Sequence, residues 1–305
     1  MRQLAGVLLF ASTIASAPAA ELHHLYNPSW SPDGKQIAFE ATETDHAAIY
    51  LVDADGTNLR KITSGTVDDE QPKWSPDGKR IAFITMRDGH LQIYTMTPDG
   101  GDQRPLLTTN RIDYQPAWSP DGKKIAFVTR SEQPSMIHEI HVVNVDGSGE
   151  KRLTDQDRDN STSPRWSHNG KQILFTRHPI IKRNYKDLTP DERQKVRDAQ
   201  ELMIMNADGS NVRALTTNTA QDCCAAWSPD GKTIYFNSAR DGAVHVYAMH
   251  ADGTEAHMVA NGAIVKSPEI SPDGKRFAYT RETDGKSGLY VYDLTAETES
   301  RLAGQ

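Results

Sequence analysis

The chain has 305 residues, 37% of them hydrophobic and 7% aromatic, with 34 Lys+Arg against 41 Asp+Glu and a formal charge of −7. An evenly acidic chain lacks the basic stripe that nucleic-acid phosphates require, and its apolar share excludes wholesale disorder. Beyond the first residues no apolar run is long enough to span a bilayer, and two cysteines cannot build a multi-bridge framework, so a hydrophobic core must supply the stability.

Residues 1–20 read as a cleaved export signal. Arg2 is the positive start, Leu4 to Ile14 a short apolar core, and Ala17-Pro18-Ala19 the small-x-small cleavage pattern. Both cysteines, Cys223 and Cys224, lie far downstream, so no lipid anchor is expected at the cleavage site. The mature chain is expected to be soluble, periplasmic and monomeric.

From there the chain repeats itself. Trp30-Ser31-Pro32-Asp33-Gly34 recurs from Trp74, Trp118 and Trp227, with degenerate copies from Trp166 and Ile270. The starts are separated by 44, 44, 48, 61 and 43 residues. Ser-Pro-Asp-Gly is a turn signal: Pro presets φ, Ser and Asp bond nearby backbone, and Gly accepts positive φ. An alternating strand follows each time, beginning with Ile37-Ala38-Phe39. A third strand such as Ile49-Tyr50-Leu51-Val52 ends in a second Asp-Gly at Asp55, Asp99, Asp146, Asp208 and Asp252, read as a two-residue hairpin. A short fourth strand, Arg60-Lys61-Ile62-Thr63 in the first copy, closes the unit. Four antiparallel strands at this period predict an all-β, six-bladed β-propeller, one domain over 21–305. No strand exchange is expected to close the ring, although residues 22–25 have the composition of an edge strand.

The fourth blade carries about 17 extra residues within 178–201. Thr189-Pro190-Asp191-Glu192 predicts a capping box and a short helix from Pro190 to about Gln200. The basic and apolar stretch before it, with Ile180, Ile181, Lys182, Arg183 and Tyr185, is a candidate ledge for a partner protein, or a tolerated loop.

Chemistry is sparse. No G-x-S-x-G elbow is present, and His138-Glu139-Ile140-His141 falls in a predicted strand, where residues three apart face opposite ways and cannot share a zinc ion. The other histidines fall mostly in predicted turns and outer strands. Cys223-Cys224 sits in the first strand of blade 5, as two small buried thiols or as a vicinal disulfide. Three residues before each Trp or its equivalent stand Asn27, Gln71, Gln115, Ser163, Cys224 and Ser267, an expected polar ring in the channel. Such a ring either ties neighbouring blades together or holds a cation or a peptide end; no other metal or cofactor is expected. Asp69, Asp113 and Asp222 recur five residues before the Trp, near the same place.

The W-S-P-D-G-K-x-I-A-F unit, with Asp69-Glu70-Gln71-Pro72-Lys73 before Trp74 and a trailing Leu-Thr, resembles the PD40 or TolB-like propeller repeat over about 25–302. That family includes the periplasmic Tol-Pal protein, peptidase-associated propellers and polysaccharide lyases. The Tol-Pal protein also has an amino-terminal α/β domain, whereas only Glu21 to Tyr26 separates the expected leader from the first blade. The resemblance implies an exported, non-enzymatic scaffold that binds an envelope protein or peptide. The competing expectation is a propeller enzyme of lyase or hydrolase type acting on a carbohydrate or peptide in the channel.

Overall fold

Each Ser-Pro-Asp-Gly segment closes a hairpin by side-chain bonding as well as backbone conformation. In the first, Ser31 Oγ donates to Asp33 Oδ1 at 2.7 Å and accepts from Gln36 N at 2.9 Å. Lys35 N donates to Asp33, and Gly34 takes φ +69°. These bonds hold the Asp33 carboxyl below the usual carboxylate range, the Ser31 hydroxyl contributing most. The same Ser–Asp or Ser–Asn bond recurs in all six copies.

The protein is described by a computed structural model covering residues 22–64, 66–131, 137–154, 159–180, 187–217, 220–260, 266–283 and 285–304. The leader expected at 1–20 lies outside these residues. Blade 1 is β1 (His23–Trp30), β2 (Gln36–Thr42), β3 (Ala47–Asp53) and β4 (Arg60–Lys61). Blade 2 is β5 (Asp69–Trp74), β6 (Ile81–Thr85), β7 (Gln92–Met96) and β8 (Arg104–Pro105). Blade 3 is β9 (Ile112–Trp118), β10 (Lys124–Arg130), β11 (His138–Asn144) and β12 (Lys151–Arg152). Blade 4 is β13 (Asp159–Trp166), β14 (Gln172–Pro179), then helix α1 (Pro190–Asp198), β15 (Glu201–Asn206) and β16 (Arg213–Ala214). Blade 5 is β17 (Asp222–Trp227), β18 (Thr233–Ser238), β19 (His245–His250) and β20 (His257–Ala260). Blade 6 is β21 (Lys266–Ile270), β22 (Arg276–Thr283), β23 (Lys286–Asp293) and β24 (Thr298–Gly304).

All six sheets pair their strands in simple sequence order, antiparallel throughout. The fold is thus the six-bladed, four-strand propeller that the repeats predict. The link between third and fourth strands is longer than the expected two-residue hairpin: β3 meets β4 at Leu51↔Arg60, and the loop between them is capped by Asp55, which accepts from Thr57 N and Oγ1.

No blade could stand alone, because its second and third strands are buried on both faces. Six apolar clusters form, one at each junction between blades. Phe39, Phe83, Phe127 and Phe236 are fully buried in them, and truncating such a ring costs about 3–5 kcal/mol. The turns interlock as well: a Cβ on Gly34, Gly78, Gly122, Gly170 or Gly274 would lie against the turn proline of the preceding blade.

The ring closes between blades 6 and 1 without a shared strand, by apolar packing and by bonds between side chains and main chain. Leu22 and Leu25 are buried against Leu289, Val291 and Ala303. Leu25 N donates to Ser287 Oγ at 3.0 Å, and Trp30 Nε1 to the Glu269 carbonyl at 3.1 Å. Arg276 stacks on the Trp30 ring. Residues 23–25 therefore belong to the inner strand of blade 1 and add no edge.

Candidate functional site

The first strand of every blade faces the axis, and each is bulged at the same place, β1 carrying a further slip between His23 and Tyr26. Pairing slips between Tyr26 and Ser29, Glu70 and Lys73, Thr162 and Arg165, Cys223 and Ala226, and Lys266 and Glu269; in blade 3 the slip lies opposite, between Ala126 and Val128. The residue responsible in five blades is the predicted channel residue. Asn27, Gln71, Gln115, Ser163 and Cys224 have φ between +52° and +57°, a left-handed conformation in which a side chain pays a steric penalty. Ser267 lies in β21, with its side chain outside the described residues.

These bulges carry a relay around half the ring. Gln115 N donates to Gln71 Oε1 at 2.9 Å, and Ser163 N to Gln115 Oε1 at 2.7 Å. Asn27 is one methylene shorter than Gln, and Glu40 fills the gap: it accepts from Asn27 Nδ2 at 3.1 Å and from Gln71 N at 2.6 Å. Glu40 is 5% exposed, and burial lifts its carboxyl to about 7 against the opposing pull of the Gln71 amide. The sequence reading missed it. The repeat-equivalent residues Ile84, Val128, Thr176, Asn237 and Thr280 are all uncharged, and that contrast was the available signal.

Asp69, Asp113 and Asp222 do not face the channel. They are buried within their own blades, Asp69 against Arg87, Asp222 against Arg240 and Asp113 against Thr129 and Arg111. Arg87 and Arg240 lie over Phe83 and Tyr94, and over Phe236 and Tyr247. Their role is to brace blades 2 and 5.

The narrow waist of the channel is lined by Asn27, Gln71, Lys73, Gln115, Pro116, Ser163, Arg165 and Cys224, around about 50 Å³ of open space. Lys73 Nζ bonds Glu269 Oε2 at 3.2 Å and the Pro28 carbonyl at 3.4 Å. Burial, and then the Arg165 charge, push the Lys73 ammonium below the usual lysine range.

Asn27 and Cys224 also line a wider mouth of about 600 Å³, with Tyr26, Glu40, Gln194, Arg197, Gln221, Cys223 and Asn237, and with Ala239 and Gly242 to Val244 on one rim. The rim loop joins β18 to β19, at the end of the ring opposite the Ser-Pro-Asp-Gly turns. The insertion in blade 4 brings α1 to the same mouth. Thr189 Oγ1 accepts from Glu192 N, and Glu192 from Thr189 N, so the expected capping box is formed. The helix buries no side chain of its own; Gln200, just beyond it, bonds Gln221. Of the expected ledge, Ile180 follows β14 half-buried; Ile181, Lys182, Arg183 and Tyr185 lie outside the described residues.

Adjacent residues of a regular strand face opposite ways, but the bulge at Cys224 turns both cysteines toward the mouth. Their sulfurs stand 3.2 Å apart as thiols, within hydrogen-bonding reach of each other. That bond, followed by burial, pushes the Cys223 thiol well up.

His138 and His141 do face opposite ways. His141 bonds Glu150, whereas His138 bonds the Tyr114 hydroxyl and lies 6.2 Å, ring to ring, from His178. Burial, with His178 and Arg130 nearby, lowers His138 to about 4; burial also lowers His178. His138 stands in the strand expected for it, whereas His178 is not the exposed turn histidine expected from sequence. Among the described residues no group of three or more His, Cys, Asp or Glu converges as a metal site would require. No described helix is long and apolar enough to cross a membrane, which leaves β-barrels unaddressed.

Fold and site together define a six-bladed propeller with a polar, bulge-lined channel opening into a mouth. The TolB beta propeller domain family (PD40) matches residues 11–197 and 193–304, and the chain belongs to that family. Over 106 residues it is 28% identical to a Tol-Pal system protein TolB of Francisella tularensis subsp. tularensis (strain WY96-3418), covering 33% of this chain and 24% of that protein. It thus matches about a quarter of the length of that curated relative. Among solved structures it resembles TolB from Acinetobacter baumannii, at TM-score 0.70 and 18% identity over 92% of this chain and 63% of that one. It also resembles an oligogalacturonate lyase in complex with manganese, at TM-score 0.65 and 15% identity over 93% and 78%. At these identities the two structures speak to the fold alone.

Proposed function

We propose that this chain is an exported, non-enzymatic propeller that receives a protein or peptide partner of the periplasm or cell envelope at its channel mouth. The observation that carries the reading is the 600 Å³ mouth, where polar side chains from a rigid ring meet α1, an added helix that buries none of its own side chains. Concave sites with a few convergent polar groups are where ligands bind, and loops on rigid scaffolds carry recognition. Export is supported by the leader-like residues 1–20, and envelope partnership by the family.

The test is capture of partners from envelope extracts. Ala243→Trp, which fills the mouth, is expected to abolish a specific partner, while Lys79→Glu, on the opposite face, keeps it. Equal capture by both variants rejects the mouth. The competing enzyme reading draws on the half-buried Tyr114–His138–His178 group. Turnover of an oligogalacturonate or a peptide by the purified protein, abolished by His138→Gln, would favour it.

A further inference from the structure

The polar ring that the sequence presents as acceptors is turned inside out. Gln71 and Gln115 spend their carbonyl oxygens on the next blade's amide, so what each leaves at the waist is its Nε2 group, for which the described residues supply no acceptor. Lys73 and Arg165 add an ammonium and a guanidinium to the same space. Among the described residues Arg165 donates only to the neighbouring Pro164 carbonyl, at 3.1 Å, leaving most of its five N–H donors uncommitted there.

The residues just before the Trp or its equivalent explain how these long side chains fit. They run Ser29, Lys73, Ala117, Arg165, Ala226, Glu269, so that small residues alternate with charged ones around the ring. Glu269 answers Lys73, and among the described residues Arg165 has no ion-pair partner. The waist therefore combines an excess of positive charge, at least four donor groups and about 50 Å³, room for a few waters or one carboxylate group.

We propose that the waist is an anion site for a single carboxylate group, held by Arg165 with Lys73 and the amides of Gln71 and Gln115, and reached from the mouth past Asn27 and Cys224. The carboxylate belongs to a small organic acid or to the free end of a peptide; the recognising chemistry is the same. The second source deepens the partner reading and rests on it, whereas the site itself is tested without any partner.

The experiment is thermal unfolding of the whole protein at about pH 6, below the value of about 7 to which burial lifts Glu40 and above that at which acetate loses its charge, in sodium acetate against sodium chloride at matched ionic strength. Acetate is expected to raise the Tm of the wild type above the chloride control. Arg165→Gln should weaken the response about tenfold or more, and Arg165→Lys should restore part of it. Should Arg165→Gln fail to fold, a crystal structure of the wild type in acetate decides: carboxylate density beside Arg165 supports the site, and a bare waist overturns it. An equal shift with both salts, or an undiminished one in Arg165→Gln, also overturns it. Tetraalanine against its C-terminal amide then separates the sources. Tighter binding by the free tetrapeptide than by acetate assigns a chain end, and binding no tighter assigns the small acid.

Discussion

Gln71 and Gln115, 44 residues apart in sequence, are joined by the bond from the Gln115 backbone amide to the Gln71 side-chain carbonyl at 2.9 Å. This one bond fixes the bulge of one blade by the side chain of its neighbour. Removing the acceptor strands a partly buried N–H at a residue already held in a left-handed conformation. Gln71→Ala is expected to cost about 1–3 kcal/mol, read as a lower midpoint in urea with an unchanged slope.

A buried carboxyl and a half-buried imidazole make stability depend on pH with opposite signs. Glu40 is raised from 4.5 to about 7, so its contribution is full below 4.5 and is lost as pH rises through 7. His138 is lowered from 6.5 to about 4, so its contribution is full above 6.5 and is lost as pH falls toward 4. In the wild type the two slopes oppose each other between about pH 4.5 and 6.5. Glu40→Gln should remove the first, leaving stability that climbs with pH, by an amount on the order of a few kcal/mol. Urea titrations at several pH values measure it; a flat profile in Glu40→Gln would contradict the assignment.

Gly89 and Gly100 share φ +86° but not surroundings. A Cβ on Gly89 meets open space, whereas one on Gly100 overlaps the Ile62 carbonyl of the preceding blade. Gly89→Ala should cost only the backbone strain, about 1–2 kcal/mol, and Gly100→Ala clearly more. Paired thermal melts check the order.

A mild disulfide reagent should consume both cysteine thiols together within one chain, closing the vicinal disulfide and releasing two protons with two electrons to the reagent. Thiol titration and intact mass would register this as a unimolecular loss. A dimer on a non-reducing gel, or loss of one thiol only, would count against it.

The blades were legible because their information is local. Ser31 and Asp33 bond each other and the amides of Gln36 and Lys35, all within six residues, so six copies announce six hairpins before any packing is known. The helix after Thr189 was readable for the same reason. The site was harder. Nothing about glutamine marks a left-handed residue, so the direction of the Gln71 and Gln115 carbonyls, along the wall rather than into the channel, emerges only once neighbouring blades meet. Asp69 and Asp222 shared the ring's spacing yet turned toward arginines of their own blades. His138 and His178 were separated by 40 positions and a blade boundary. The Asp-Gly turns were read as tighter than they are because Asp55 caps a longer loop.

Closure by Trp30, Leu25 and Arg276, without a shared strand, has an evolutionary side. Every sheet is encoded by one uninterrupted stretch, the repeats being spaced 43 to 48 residues apart except at the fourth blade, whose insertion lengthens the spacing to 61. Duplication or deletion of one such stretch in the gene adds or subtracts a whole wedge without orphaning any strand. Ancestors and descendants of this ring are therefore free to differ in circumference, with only the tilt between neighbours needing to adjust.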